Sequence, residues 1–376
     1  MFKKSHVLFL AVLAMCAVLP ARSDAQTTNA AGAVFVMTNA ADTNEIIAYQ
    51  RSADGSLQEG RSFRTEGRGS GGVTDPLGSQ SSLTLSQDHS LLFAVNAGSG
   101  EISVFRVHGA NLSLTDKEPC GGSEPVAVAQ HGSLVYVVNA GAASNVVGFR
   151  LEDEGKLEQI PDSFAFLSTG NAGASSLAIS PDGQFVLVTE KLANRIDAFQ
   201  VRPNGTLAPI VVNPSVGPGL FSVLFAPNGT ALATETGPAG GNNASAISSY
   251  AIHADGTLSA ISASVPTSGA ATCWHAITPD GHFAFTSNAG SATVSGFAIG
   301  TNGALTPVGG TIVGINPAGS TNLDLAISAD GKFIYTLDSG TGRVSVFGIN
   351  QDGTLNNLGE VGGLTASAGF NGIAAI

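Results

Sequence analysis

Residues 180–199 read SPDGQFVLVTEKLANRIDAF. Ser180-Pro181-Asp182-Gly183 has the chemistry of a tight turn: Pro pre-sets φ, and Gly accepts the positive φ that a reversal needs. Two short apolar runs follow, at 185–188 and 196–199, with a polar break between them. Runs this short, bounded by turns, are strands.

The end of this stretch recurs. IDAF (196–199) has relatives in IIAY (46–49), ISVF (102–105), VVGF (146–149), ISSY (247–250), VSGF (294–297) and VSVF (344–347), at spacings of 44 to 56 residues. Most copies precede a second turn with a leucine after it: DGSL (54–57), EGKL (154–157), NGTL (204–207), DGTL (255–258), NGAL (302–305) and DGTL (352–355). The upstream half recurs as LAISPDGQFVLV (177–188), HAITPDGHFAFT (275–286) and LAISADGKFIYT (325–336). Each repeat therefore holds four short strands, the length and turn pattern of a β-propeller blade. Residues 33–63 supply three strands without an inner one, and FNGIAAI (370–376) resembles an isolated inner strand. The expected fold is all-β: a seven-bladed propeller over residues 26–376, its ring closed by the C-terminal strand.

Ahead of the repeats, Lys3 and Lys4 precede an apolar run at 7–19 that is too short to span a bilayer well, followed by small residues at 23–25. Residues 1–25 read as a secretory leader. The expected location is secreted or periplasmic, with no membrane anchor. Without Lys3, Lys4, Arg22 and Asp24, the rest carries 13 basic and 27 acidic residues, a net charge of −14. That excludes nucleic acid as a partner, because binding it needs clustered Lys and Arg. Cys120 and Cys273 precede blades three and six, which face each other across a seven-fold ring. That separation exceeds the reach of a disulfide, so free thiols are expected.

Candidate chemistry gathers at strand ends. Aligned on Pro181, the inner strands carry a bulky row (Leu83, Val126, Leu177, Val223, His275, Leu325) beside a mostly small one. These rows are core. His275 stands out, either as a core histidine with a hydrogen bond or as an acid/base group beside Trp274. One and two positions earlier the residues are varied and partly polar, Ser175 and Asp324 among them, and are expected at the mouth of the central channel. Asn96, Asn139, Glu190, Asn288 and Asp338 end the second strands, with Glu235 one position off that register. A ring of oxygens around the mouth is the functional reading, and loop chemistry the plain one. Arg195 and Arg343 follow their acids by five residues. They read as surface ion pairs or as guanidiniums that hold a ligand.

The blades SPDGQFVLVTEKLANRIDAFQVRPNGTL (180–207) and TPDGHFAFTSNAGSATVSGFAIGTNGAL (278–305) resemble the lactonase family of seven-bladed propellers. That family includes 6-phosphogluconolactonase-like proteins and the fungal carboxymuconate-lactonising enzyme. The resemblance implies an active site of a histidine, arginines and a glutamate. In this chain the histidine position is Ser175 and the arginine positions are Phe221 and Leu323; Glu235 matches the glutamate across a small gap.

Three functions follow as expectations. The first is a propeller that binds a small-molecule or protein ligand at the channel mouth through Trp274, Ser175, Asp324, Asp338, Arg343 and the asparagines, with the family's catalytic groups largely replaced. The second is a lactone hydrolase using Glu235 or Glu190 as base and Arg195 or His275 as stabiliser. In the third, the oxygen ring holds Ca²⁺, which takes six to eight oxygen ligands. Otherwise no cofactor is expected.

Overall fold

The turn at residues 180–183 explains the repeat. In a computed structural model, which describes residues 1–2, 30–238, 241 and 243–376, Ser180 Oγ donates to Asp182 Oδ1 at 2.6 Å and Gln184 N donates to the same oxygen at 3.0 Å. Phe185 N donates to Ser180 Oγ at 2.9 Å, and Gly183 takes φ +71°. The carboxylate stands in for backbone partners within the reversal. Ser86 with Asp88, Thr278 with Asp280 and Ser328 with Asp330 make the same bond. At the second turn, Asp54, Asn204, Asp255, Asn302 and Asp352 each accept the N–H two residues on. The glycine between is needed twice over. Gly353 holds φ +79°, and a Cβ there would lie 2.5 Å from the Phe283 ring of the preceding blade.

These reversals produce seven antiparallel sheets. In blade four the strands run outward from the axis as Ala174–Ile179, Phe185–Glu190, Arg195–Gln200 and Val211–Pro214. Blade three carries an extra short strand, Ala165–Phe166, beside Asn145–Glu152. The inner strands neighbour one another in ring order. Blade one consists of Ala30–Met37, Glu45–Ser52 and Arg61–Arg64, and Ile373–Ala375 supplies its inner strand. Val34 pairs with Ala375 and Val36 with Ile373. Arg51 Nε clamps the end by donating to the Ile376 carbonyl at 3.0 Å. The C-terminus closes the ring as the repeat pattern predicts. The expected leader at 1–25 lies outside the described residues, save Met1 and Phe2.

Blade-to-blade packing holds the ring. The repeated third-strand aromatics Tyr49, Phe105, Phe149, Phe199, Tyr250, Phe297 and Phe347 are each at most 1 % exposed. Burying a side chain of this size contributes roughly 1.5–3 kcal/mol. The bulky inner row is buried throughout, as core should be. Cys120 and Cys273 are buried and free.

One connector departs from the repeat. The links ahead of blades three to seven span five to seven residues, but the link from blade one to blade two occupies 65–82. It runs into the ring centre and buries Leu77, Ser79 and Gln80. Ser79 Oγ donates to Val126 O of blade three at 2.9 Å, and Gln80 N donates to Ser175 O of blade four at 2.8 Å. Trp274 Nε1 of blade six donates to Ser79 O at 2.7 Å. The Gln80 amide meets the His275 backbone on both sides, accepting from its N–H at 3.2 Å and donating to its carbonyl at 2.5 Å. The connector is a strap across the channel.

Candidate functional site

The side chains that end the second strands are taken up by internal hydrogen bonds. Each side chain is buried and bonded to a nearby connector or to neighbouring strands. Asn96 Oδ1 accepts from Thr65 Oγ1 at 2.7 Å and from Asn44 Nδ2 at 3.0 Å. Asn139 Nδ2 donates to Cys120 O and to Asn145 Oδ1. Asn288 accepts from Thr272 Oγ1 and donates to Ser295 Oγ. Asp338 accepts from Asn316 Nδ2 at 2.8 Å and from Ser345 Oγ. The oxygens expected to converge on Ca²⁺ thus stand apart, one per blade. The described residues hold no group of three or more His, Cys, Asp or Glu placed to bind a metal.

The acids proposed as bases are used in the same way. Glu190 is fully buried and accepts from Ser168 Oγ (2.8 Å), Thr169 Oγ1 (2.9 Å) and Thr169 N (3.0 Å). Glu235 accepts from Ser248 Oγ (2.6 Å), Ser264 Oγ (2.7 Å) and Gly217 N (3.2 Å), at the wall of a pocket of about 230 Å³. Its offset in the sequence has a local cause. The first turn of blade five closes between Ala226 and Thr230, one residue tighter than the closure between Ser180 and Phe185 in blade four. Glu235 therefore pairs with Leu220 as Glu190 pairs with Ala174.

The arginines serve neither acid. Arg195 stands opposite Glu190 in strand register but is exposed, while the Glu190 carboxylate is taken up by Ser168 and Thr169. Arg343 pairs with Glu360 rather than Asp338. His275 is a core histidine, fully buried, with Nδ1 2.8 Å from Ser222 Oγ. Burial pushes its pKa down to about 3, so it is neutral and poorly suited to acid/base work.

Trp274, Ser175 and Asp324, expected at the mouth, are buried and bonded internally. Trp274 packs edge-on to Phe221 at 5.1 Å and is bonded to the strap. Ser175 Oγ donates to Phe221 O at 2.6 Å. Asp324 accepts from Leu325 N and Ile373 N, and burial pushes its carboxyl up to about 7.

Two other residues stand at the mouth, and the sequence reading missed both. Asp75, on the strap, accepts from Asn371 Nδ2 at 2.8 Å and from Gly78 N at 2.9 Å. Lys191, directly after Glu190, donates to Gly78 O at 2.7 Å and lies 5.5 Å from the centre of the Phe221 ring. Both are half-buried. Burial pushes the Asp75 carboxyl up to about 6, against the opposing pull of Lys191. Burial lowers the Lys191 ammonium, and Asp75, Cys273 and Glu124 act against that shift. The signal for the strap was present in the sequence: the 56-residue interval between IIAY (46–49) and ISVF (102–105) is the longest in the repeat.

The buried acids give stability a definite pH dependence. Burial raises Asp75, Asp324 and Asp338, to about 6, 7 and 7. It also raises Asp197, helped by the neighbouring Glu190 carboxyl. A group that holds its proton more tightly when folded contributes most below its unfolded pKa and loses that contribution as pH rises to its folded pKa. His275 acts oppositely, losing its contribution as pH falls from about 6.5 towards 3. Four acids outweigh one histidine. The melting temperature is expected to fall between about pH 4.5 and 7.5. Asp197→Asn is expected to flatten that fall and to stabilise the protein at pH 8 by on the order of 1–3 kcal/mol. A wild-type melting temperature that rises over this range would refute the assignment.

Comparison with known proteins supports the architecture. The family described as "Lactonase, 7-bladed beta-propeller" matches residues 28–168, 127–233 and 222–370. The periplasmic gluconolactonase PpgL of Pseudomonas aeruginosa superposes with a TM-score of 0.68 at 18% identity, over 92% of this chain and 98% of that one. A candidate 6-phosphogluconolactonase from Bacteroides uniformis gives 0.64 at 19%, over 92% and 99%. Apo AztD from Citrobacter koseri gives 0.55 at 12%, over 92% and 97%. At these identities the likeness speaks for the fold alone. No curated protein matches the chain. Among the described residues, no helix is long and apolar enough to cross a membrane.

Proposed function

Because the chain belongs to the lactonase family of seven-bladed β-propellers, we propose that it is an exported propeller that binds a small polar ligand at its channel mouth. One observation carries this reading. The strap closes the channel at the Gln80–His275 pairing, leaving Asp75 and Lys191 half-buried above it. The positions where the family resemblance implies a histidine and arginines hold Ser175, Phe221 and Leu323, all buried. Glu190 and His275 are committed to internal bonds. The leader-like residues 1–25 support export.

A second reading rests on Asp75. A carboxyl pushed up to about 6 beside an ammonium is suited to take a proton from water near neutral pH, with Lys191 facing the developing oxyanion. Lactone hydrolysis at the mouth would use these two groups.

The test pairs turnover with binding. Sugar and aliphatic lactones are followed by pH-stat, and melting temperatures are recorded with saturating small polar ligands. The binding reading expects no turnover above the buffer rate and a ligand-dependent rise in melting temperature. Turnover abolished by Asp75→Asn would replace it with the second reading. Turnover abolished by Glu235→Gln instead would restore the family's glutamate as the base.

A further inference from the structure

Two polar groups at the mouth face one bare spot of backbone. Among the described residues Lys191 Nζ donates only to Gly78 O, which leaves two of its three N–H groups. The hydrogen bonds to Asp75 go to Oδ1, leaving Oδ2 without one among the described residues. Gly78 lies between them. The point a Cβ would occupy there is 2.4 Å from Lys191 Nζ and 3.9 Å from Asp75 Oδ2. A side chain there would collide with the Lys191 ammonium, and Gly78 also holds φ +53°.

The surroundings keep this cradle in place. Asp75, Glu124 and Asp324 take φ of +40°, +58° and +74°. The Phe221 ring lies under the ammonium, and Asn371 of the closing segment fixes the carboxyl.

We propose that this cradle binds a small organic carboxylate together with one proton, bridging Lys191 Nζ and Asp75 Oδ2. The inference rests on the reading of the mouth as a ligand site and names its ligand class. One ligand oxygen accepts from Lys191. The other accepts from Asp75, whose Oδ2 carries a proton taken from water on binding. No covalent bond forms or breaks. An ionised Asp75 would repel the ligand, so the proton is required. The charged and titratable groups facing Asp75 and Lys191 are Asp324, Glu124 and the Cys273 thiol. Asp324 holds its proton to about pH 7, burial pushes the Cys273 thiol up so that it stays neutral, and Glu124 is exposed.

The experiment is titration calorimetry at pH 5 to 8, in buffers of differing ionisation enthalpy. The probes are propionate and D-gluconate, with propionamide and D-glucose as their neutral counterparts. The acids are expected to bind with about one proton taken up at pH 7.5, and the association constant should fall about tenfold per pH unit above pH 6. Asp75→Asn should bind without that slope. Lys191→Met should lose at least tenfold, and Lys191→Arg, which keeps the charge should the Met variant misfold, should retain binding. Neutral counterparts that bind as well as the acids, or acid binding independent of pH, would overturn this inference and leave the ligand site standing. Silence from every probe, with a folded protein, would remove both.

Discussion

Removal of residues 370–376 is expected to abolish the cooperative thermal transition. The segment buries Phe370, Ile373, Ala374 and Ala375, and fully buries Asn371. At roughly 1.5–3 kcal/mol for each large apolar side chain, Phe370 and Ile373 alone contribute about 3–6 kcal/mol, a large share of the roughly 5–15 kcal/mol margin of a typical domain. The deletion would also turn Ala30–Met37 into a sheet edge whose side chains from Ala33 to Met37 are completely buried, and would leave Arg51 without the Ile376 carbonyl. Circular dichroism melting and size-exclusion chromatography read the result. A shift of only a few degrees, in a monomer, would show that the ring stands without its last strand.

Trp274→Ala is expected to cost about 3–5 kcal/mol. Trp274 is fully buried and heads the largest side chains of the interior. Its loss leaves a cavity beside Phe221 and an unpaired Ser79 carbonyl, so the strap loses a main anchor. Trp274→Phe separates the two effects. It keeps most of the ring and should cost only the lost hydrogen bond, about 1–3 kcal/mol. Urea unfolding followed by circular dichroism measures both variants. Trp274 is the protein's single tryptophan, so in the wild type its emission reports the strap directly and should shift red on unfolding. A cost below about 1 kcal/mol for the alanine variant would mean that the strap is held elsewhere.

The fold was legible in the sequence because its instructions are local and repeated. Asp182 with Ser180, and Gly353 against Phe283, act through bonds and contacts that recur with every copy. The closing strand was legible because blade one lacked one. The site was less legible. Counting positions put Asn96, Asn288 and Asp338 at the right strand end, but not beneath the connectors that cover them. Glu190 and Arg195 stand in register, yet the acid turns to Ser168 and Thr169. Asp75 escaped because it lies outside the repeat, and Lys191 because its repeated position, directly after the second-strand end, holds Ala97, Ala140, Thr236, Ala289 and Ser339 in the other blades. The meeting of Asp75 with Lys191 depends on a strap whose path is set by partners in blades three, four and six.

The clamp between Arg51 and Ile376 joins positions 325 apart in the chain. A ribosome delivers the first of these long before the last. Blades two to seven hold all four of their own strands and can stack as they emerge, but blade one must wait, unfinished, until residues 373–375 have been made. Long-range pairings of this kind slow folding, because the loop they close is ordered before the contact rewards it. The newborn protein therefore passes through an open arc with an unpaired edge at its front, the form most exposed to aggregation and proteolysis. Once the latch engages, unfolding has to begin by breaking it, which should make the finished ring slow to open.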